Sequence, residues 1–400
     1  MRAGETGAAH RLAAWTQLTK RSALQDMLEL TSGPEYISFG LGLPNAECFP
    51  LEQLAVSASE VLLGQSNPLQ YAPPVEELKQ QIQLLMRQRG VECRTSQIFL
   101  TAGAQQGIGL LARLLLEPGR AVLTEEVTYT GFLQVLEPYQ PRMLTVPTDP
   151  VSGIDVEQVE RVLQSEERPA CMYVIPSGHN PLSYTLSREK RQRLAELAAQ
   201  YEVPLIEDDP YGFLAYEDAG IPAIKSFESE WVFYIGSFSK ILAPGLRLGW
   251  IIASEEIMEK LSIVKEAADI NTGTLTQRIA ANFLQKDAFL SHLMHLRQEY
   301  TSRRDCMLEH LTEELGGVGE WTLPSSGMFI WMRLPATINA MELFRESVTT
   351  EKVTFFPGTV FAVNQSPAAS SSIRLNFSFN NQDKIEEGIA RLSRLVKRHV

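Results

Sequence analysis

The chain has 400 residues, of which 44% are hydrophobic and 21% charged, which gives room for two domains and a large core in an ordinary globular protein. A formal net charge of −12 argues against nucleic acid or an anionic membrane surface as the main partner. Any anion this protein binds has to be met by a local site. The four cysteines, Cys48, Cys93, Cys171 and Cys306, lie far apart and form no CxxC pair. They read as buried free thiols in a reducing compartment, not as a disulfide framework or zinc site. The opening "MRAGETGAAHRLAAW" has no continuous apolar stretch and no run of ~18 apolar residues follows it, so a soluble, cytoplasmic protein is expected.

In chain order, the segment before residue 60 is expected to join a smaller domain built mainly from the C-terminal part. From residue 97 onward, short β-rich apolar runs alternate with helical patterns. "QIFLT" leads into "AGAQQGIGLLARLLLE", "AVLTE" into "GFLQVLE", and "MLTVP" into "DVEQVERVLQ". "ACMYVI" precedes "SREKRQRLAELAAQYE", which opens on a candidate N-cap, Ser187. "VPLIEDD", "WVFYIGS" and "LRLGWIIAS" read as three further strands. Strands that are apolar throughout, with helices between them, predict an α/β fold around a mostly parallel sheet covered on both faces. Helical patterns fill 255–315. The remainder mixes short strands ("GMFIWMRLP", "VTFFP", "SIRLNFS") with helices at 340–350 and 381–398, and "QSPAASSS" at 365–372 reads as a surface loop. The expected division is a large α/β domain over 60–300 and a smaller α+β domain built from 1–59 and 301–400.

Ligands of open α/β sheets bind beyond the carboxyl ends of the strands, and unusual residues cluster at those ends here. Gly103-Ala104-Gln105 opens a helix where a phosphate could reach free backbone N–H groups, although a tight turn explains it as simply. Glu207-Asp208-Asp209 ends a buried strand and needs a cation or proton: a divalent metal, a protonated ring nitrogen, or plain solvation of a turn. Asn180-Pro181 is turn chemistry, or an amide aimed at a ligand oxygen. In "YIGSFSKILAPGLRLGW" Lys240 stands among small, hydroxyl-bearing and apolar residues. A snorkelling lysine is one reading. A partly dry lysine with a lowered pKa is the other, and that is a nucleophile. Ser237, Ser239 and Arg247 are what a phosphate beside it would need. Together these features point to pyridoxal phosphate (PLP), an aldehyde on a phosphorylated pyridine ring.

"SFSKILAPGLRLGW", "IEDDPYGFLAY", "YVIPSGHNP" and "SIRLNFS" resemble the PLP-dependent class I/II aminotransferases of fold type I, over nearly the whole chain. "SGPEYISFGLGLPNAECFP" and "PSSGMFIWMRLP" are similar more narrowly to the branch holding 2-aminoadipate, kynurenine and aromatic aminotransferases and MocR-type regulators. The resemblance implies that Lys240 binds the cofactor aldehyde as an imine and then shuttles a proton. It implies that Asp208 keeps the pyridine nitrogen protonated, that Tyr211 and Asn180 hold the ring oxygen, and that Tyr129 stacks on the ring. Ser237, Ser239, Arg247 and the backbone of Gly103, Ala104 and Gln105 hold the phosphate, and Arg374 pairs with the substrate carboxylate. Tyr71 resembles a tyrosine that reaches a neighbouring subunit's phosphate, which implies a homodimer with shared sites. Gly42 and Gln25 fall at substrate-side positions. The implied reaction moves an amino group from an L-amino acid to a 2-oxo acid such as 2-oxoglutarate.

Several residues depart from the family pattern. "NPLS" replaces Asn-Pro-Thr-Gly, so the turn's glycine is gone. His179 stands where the branch often has glutamine, as a titrating group or a bystander. The Tyr71 loop, "YAPPVEELK", is compressed, and Leu41 replaces a small residue beside the substrate. Gln25 takes the place of an arginine that binds a distal carboxylate, which favours a neutral or unusual substrate side chain. An oxidase, cyclase or eliminase on the same cofactor is the alternative. A PLP-binding regulator is not expected, because few residues precede "SFGLGLP" and the acidic charge opposes DNA binding, and a metal hydrolase built on Glu207, Asp208 and Asp209 is expected less still. His292 and His295 read as part of a solvated helix face.

Overall fold

The computed structural model describes residues 12–17, 33, 35–64, 66–216, 220–286 and 288–400. Seven strands form the central sheet: β1 (Ile98–Thr101), β2 (Ala121–Glu125), β3 (Arg142–Val146), β4 (Cys171–Val174), β5 (Leu205–Asp208), β6 (Val232–Ser237) and β7 (Gly249–Ile252). Their spatial order is β1-β7-β6-β5-β4-β2-β3. β7 runs antiparallel to both of its neighbours, and every other pairing is parallel. The sheet lies in the segments whose apolar runs predicted it.

Eleven α-helices are described: α1 (Leu51–Gly64), α2 (Glu76–Arg87), α3 (Ala104–Leu115), α4 (Thr130–Leu136), α5 (Val156–Gln164), α6 (Arg188–Tyr201), α7 (Glu255–Asp269), α8 (Thr274–Leu284), α9 (Ala288–Leu315), α10 (Ala340–Thr350) and α11 (Gln382–Lys397). The starts of α5, α6, α10 and α11 carry side-chain caps. Ser187 accepts a hydrogen bond from Lys190 N at the head of α6, as its sequence position suggested, and Asp155 caps α5 in the same way.

Burial on both faces explains the unbroken apolar strands. Alternate residues of one strand enter different cores. Leu123, Met172, Val174 and Leu205 face α5 and α6, whereas Val122, Cys171, Tyr173 and Ile206 join the core beneath α3, α4 and α7. Cys48 and Cys171 are buried, Cys93 and Cys306 half-buried, and all four are free thiols.

The C-terminal region forms a second, antiparallel sheet in the order β8-β9-β11-β10: β8 (Glu320–Trp321), β9 (Phe329–Arg333), β10 (Phe356–Pro357) and β11 (Ser372–Asn376). The chain's early segment joins it. Ile37–Ser38 pairs with Val353–Thr354, and Asn376 N donates to Phe39 O at 2.7 Å. Residues 363–369 are not an open loop but two short 3-10 turns, with Ala369 fully buried. His292 is also not on a solvated face. It is buried against Phe283, while His295 is exposed. The helix turns by about 100° per residue, so residues three apart sit near one another but at the boundary between core and solvent.

Candidate active site

A cavity of about 460 Å³ opens where the two sheets meet, beyond the carboxyl ends of β1, β2, β4, β5 and β6. Each strand end delivers its own group. Asp208 ends β5 and Ser237 ends β6, while the turn after β1 supplies Gly103, Ala104 and Gln105. Tyr129 caps α4 after β2, and Asn180 lies in the turn after β4. Because β7 is antiparallel, the segment entering it arrives at the same edge and brings Arg247. The C-terminal sheet closes the cavity with Arg374 from β11 and the rings of Phe329, Phe356 and Phe361.

Lys240 is half-buried, and its Nζ donates to Gly42 O at 2.7 Å. Burial, with repulsion from Arg374 and Arg247, pulls its pKa down to about 8, so a useful fraction is unprotonated near neutrality. Asp208 is buried and accepts from Tyr173 Oη at 2.6 Å through Oδ2, while Oδ1 has no partner among the described residues. Burial pushes its pKa up to about 7, against the Tyr173 hydrogen bond, and the charge of Asp209 adds to the rise. A buried carboxylate oxygen with no donor asks for a cationic N–H.

Arg374 is buried. Its Nη1 donates to Asn180 Oδ1 and its Nη2 to Gly40 O, both at 2.6 Å, and Nε has no partner among the described residues. The rings of Phe329, Phe356 and Phe361 lie 4.0, 4.8 and 4.8 Å from the guanidinium carbon. Burial lowers its pKa to about 9, opposed by Tyr211 and Tyr129. Its charge lacks a carboxylate partner inside this shell.

At the other end, Arg247 Nη1 lies 3.4 Å from Ser239 Oγ, Nη2 donates to Ala102 O at 3.0 Å, and Ser239 N donates to Ser237 Oγ at 3.1 Å. Gly103 has φ +87°, and a Cβ there would come within 2.6 Å of Arg247 Nη2. Glycine therefore keeps the start of α3 open beside the guanidinium, where the first N–H groups of a helix lack intrahelical partners. The set suits a phosphate.

A profile of the family described as aminotransferase class I and II matches residues 37–392. The chain belongs to this family. It is 35% identical to aromatic-amino-acid aminotransferase 1 of Thermococcus litoralis, over 94% of this chain and 92% of that protein. It is 34% identical to the 2-aminoadipate transaminase of Thermus thermophilus, over 94% of each. Among solved structures, the kynurenine aminotransferase of Pyrococcus horikoshii superposes with a TM-score of 0.92 at 32% identity, covering 99% of this chain and 100% of that one. The architecture is accordingly the type I fold of PLP-dependent transferases.

Most of the residues singled out in the aminotransferase sequence meet in this one cavity: Gly42, Ala104, Gln105, Tyr129, Asn180, Asp208, Tyr211, Ser237, Ser239, Lys240, Arg247 and Arg374. Gly103 adjoins it through Arg247. Tyr129 Oη donates to Gln105 Oε1 at 3.2 Å, and burial raises its pKa to about 12. Tyr211 is buried edge-on to Phe329, and its hydroxyl pKa is likewise raised by burial. Tyr71 is not in this cavity. It is 78% exposed and borders a separate groove with Ile270 and Asn271. Gln25 lies outside the described residues. Leu41 is buried, and Leu43 rather than Leu41 lines the cavity.

The three acids part company. Strand alternation turns Asp208 to the cavity and Glu207 and Asp209 away. Glu207 accepts from Ile224 N and Lys225 N at 2.7 and 2.8 Å, and Asp209 pairs with Arg89 at 2.9 Å. Among the described residues no cluster of His, Cys, Asp and Glu could hold a metal ion. Sequence reasoning missed Tyr173 and the phenylalanines around Arg374. Their runs, "CMYVI", "GMFIW" and "TFFP", look like any other core strand.

Proposed function

We propose that Lys240, Asp208 and Arg374 are the working groups of a PLP-dependent aminotransferase acting on amino acids with a neutral side chain. The observation that carries the reading is one cavity in which a lysine of lowered pKa, an unpartnered carboxylate oxygen and an arginine without a counter-ion all face inward. Bound PLP supplies an aldehyde that takes up the amino group and a pyridinium ring that stores the electron pair of the substrate Cα–H bond. Asp208 Oδ1 would accept from the ring N–H, and Tyr211 and Asn180 would hold the ring oxygen. Tyr129 would cover the ring face. Arg247, Ser237, Ser239 and the N–H groups of Ala104 and Gln105 would hold the phosphate, the backbone being kept open by Gly103. Arg374 would take the substrate carboxylate as a two-point partner. Once free, the Lys240 amine would move a proton from Cα as base and return it as acid, a role worth about 10²–10⁴-fold. The acceptor would be a 2-oxo acid such as 2-oxoglutarate.

The neutral side chain is supported by the lining. Beyond Lys240, Arg247 and Arg374 it holds no further cation among the described residues, and the substrate end is phenylalanine-rich. The altered "NPLS" turn gives little support to an oxidase, cyclase or eliminase. Ser183 occupies φ +69° where the family pattern has glycine, and Asn180 still reaches Arg374.

We also propose a homodimer, with Tyr71 reaching the second copy's phosphate site. Its exposure and that of Leu63, Leu69 and Ile270 support this. The division into 60–300 and 1–59 with 301–400 is proposed with α9 as the element spanning the boundary. A cytoplasmic location is proposed from the free thiols. Among the described residues no helix is long and apolar enough to cross a membrane.

The decisive measurement is the visible spectrum of the PLP-loaded protein during titration with single L-amino acids and no acceptor. Conversion of the cofactor to its amine form by neutral amino acids, lost in Lys240→Ala, is expected. Failure to retain PLP would end the cofactor assignment. A clear preference for aminoadipate would end the neutral-substrate reading.

A further inference from the structure

The turn that carries Asn180 is clamped from beneath by side chains with no part in the steps above. His179 and Glu125 are both fully buried. Leu182 N donates to His179 Nδ1 at 3.2 Å, which leaves the ring proton on Nε2. Nε2 lies 2.9 Å from Glu125 Oε2, short in distance but off the hydrogen-bond line, and neither atom has another partner. Glu125 Oε1 accepts from Thr148 Oγ1 at 3.1 Å and from the Tyr184 hydroxyl. The Tyr184 ring stacks on His179, with centroids 4.6 Å apart and planes 16° apart. The backbone closes the same turn: His179 N donates to Tyr184 O at 2.9 Å, and Ser183 N to His179 O at 2.6 Å. Glu125 ends β2, so the central sheet itself anchors the turn.

One residue further on, Asn180 Oδ1 accepts from Arg374 Nη1. The phenylalanine rings fix the plane of the Arg374 guanidinium. Among the described residues, the oxygens of Asn180 and Gly40 alone fix its rotation within that plane. An apolar pair could fill the space beneath the turn, but it would supply no direction. A buried carboxylate and imidazole are costly to desolvate and hold their neighbours only along defined lines. We propose that Glu125 and His179 are positioning residues for the substrate carboxylate: through one turn they fix the Asn180 amide, and through that amide the orientation of Arg374. The proposal rests on Arg374 being the carboxylate site.

The test is binding of 3-phenylpropanoate, a carboxylate with no amino group to transfer, to the PLP-loaded protein by calorimetry. His179→Phe keeps a ring against Tyr184 but removes both nitrogens, and Kd should rise about tenfold, the equivalent of one hydrogen bond to a charged group. His179→Gln returns a donor near the Nε2 position and should restore most of the affinity. Asn180→Ala should weaken binding by itself, and adding His179→Phe to it should then cost little more. A Kd for His179→Phe within about twofold of wild type, or an equal loss with Asn180 absent, overturns the proposal. Arg374→Lys separates the two levels. An unchanged Kd there means the carboxylate reading itself is wrong. A weakened Kd there, with His179→Phe silent, removes only the positioning role. Should His179→Phe fail to fold in a thermal scan, Glu125→Gln takes its place with the same two outcomes.

Discussion

Asp208 and Asp209 are neighbours in sequence, of one residue type and both buried, yet the two faces of β5 use them in opposite ways. On one face Asp209 meets Arg89 at 2.9 Å and the Tyr234 hydroxyl at 3.2 Å, while Ser177 accepts from both Arg89 and Arg191. That face is a charge network closed largely on itself. On the other, Asp208 has a single hydroxyl partner and an oxygen facing the cavity with none. The contrast teaches how a sheet edge separates fastening from chemistry: Oδ1 of each acid lacks a hydrogen bond among the described residues, but a step of one residue reverses the side chain, so the acid with a cationic partner faces away and the acid without one faces the ligand.

The largest effect expected on the cavity face is that of Lys240→Ala. It should reduce turnover by about 10³-fold or more and abolish the visible band of the cofactor attached to the amine, both read in one spectrophotometric assay. Asp208→Asn keeps the shape but removes the charge, and kcat should fall by about 10²–10³-fold with little change in urea midpoint. If it unfolded the protein instead, the division between the two faces would be wrong. Arg89→Met tests the fastening face. It leaves Asp209 buried without its cation and should cost about 3–5 kcal/mol in urea unfolding, while molecules that still fold keep their cofactor.

The smallest effect is on pH dependence. In the cofactor-free protein the folded state holds the Asp208 proton up to about pH 7, whereas an unfolded aspartate releases it near ~4. The folded state thus binds more protons between those values, and stability present at the acid end is lost as pH rises through 7. Glu207, also raised to about 7 by burial, adds a slope of the same sign. Comparing Asp208→Asn with wild type across pH 4–8 isolates the Asp208 part. Melting curves whose difference does not change with pH would contradict it.

Much of the site was legible because its chemistry is carried by residue types that rarely sit where these do. Lys240 among small residues and the acids at the end of an apolar strand are each expensive unless partnered, whereas Arg374 was named only through the family resemblance of "SIRLNFS". Tyr173 and the phenylalanines around Arg374 were not legible, since an aromatic in an apolar strand is ordinary core and only its neighbours across the fold give it a task. His179 shows the same limit from the polar side. As a letter it is a titrating group or a bystander, and only tertiary contact sets it against Glu125 and Tyr184.

From residue 97 onward the order of strands and helices followed from the sequence alone, because continuous apolar runs and 3.6-residue periodicity are local properties of the chain, whereas α1 and α2 were not read from it. The identity of the lysine also followed, since its neighbours in sequence are also its neighbours in the site. What only the tertiary structure decided is which groups meet. Arg374 comes to Asn180 across 194 positions and Lys240 to Gly42 across 198. Such contacts are made by tertiary packing between distant segments, and no local pattern encodes them.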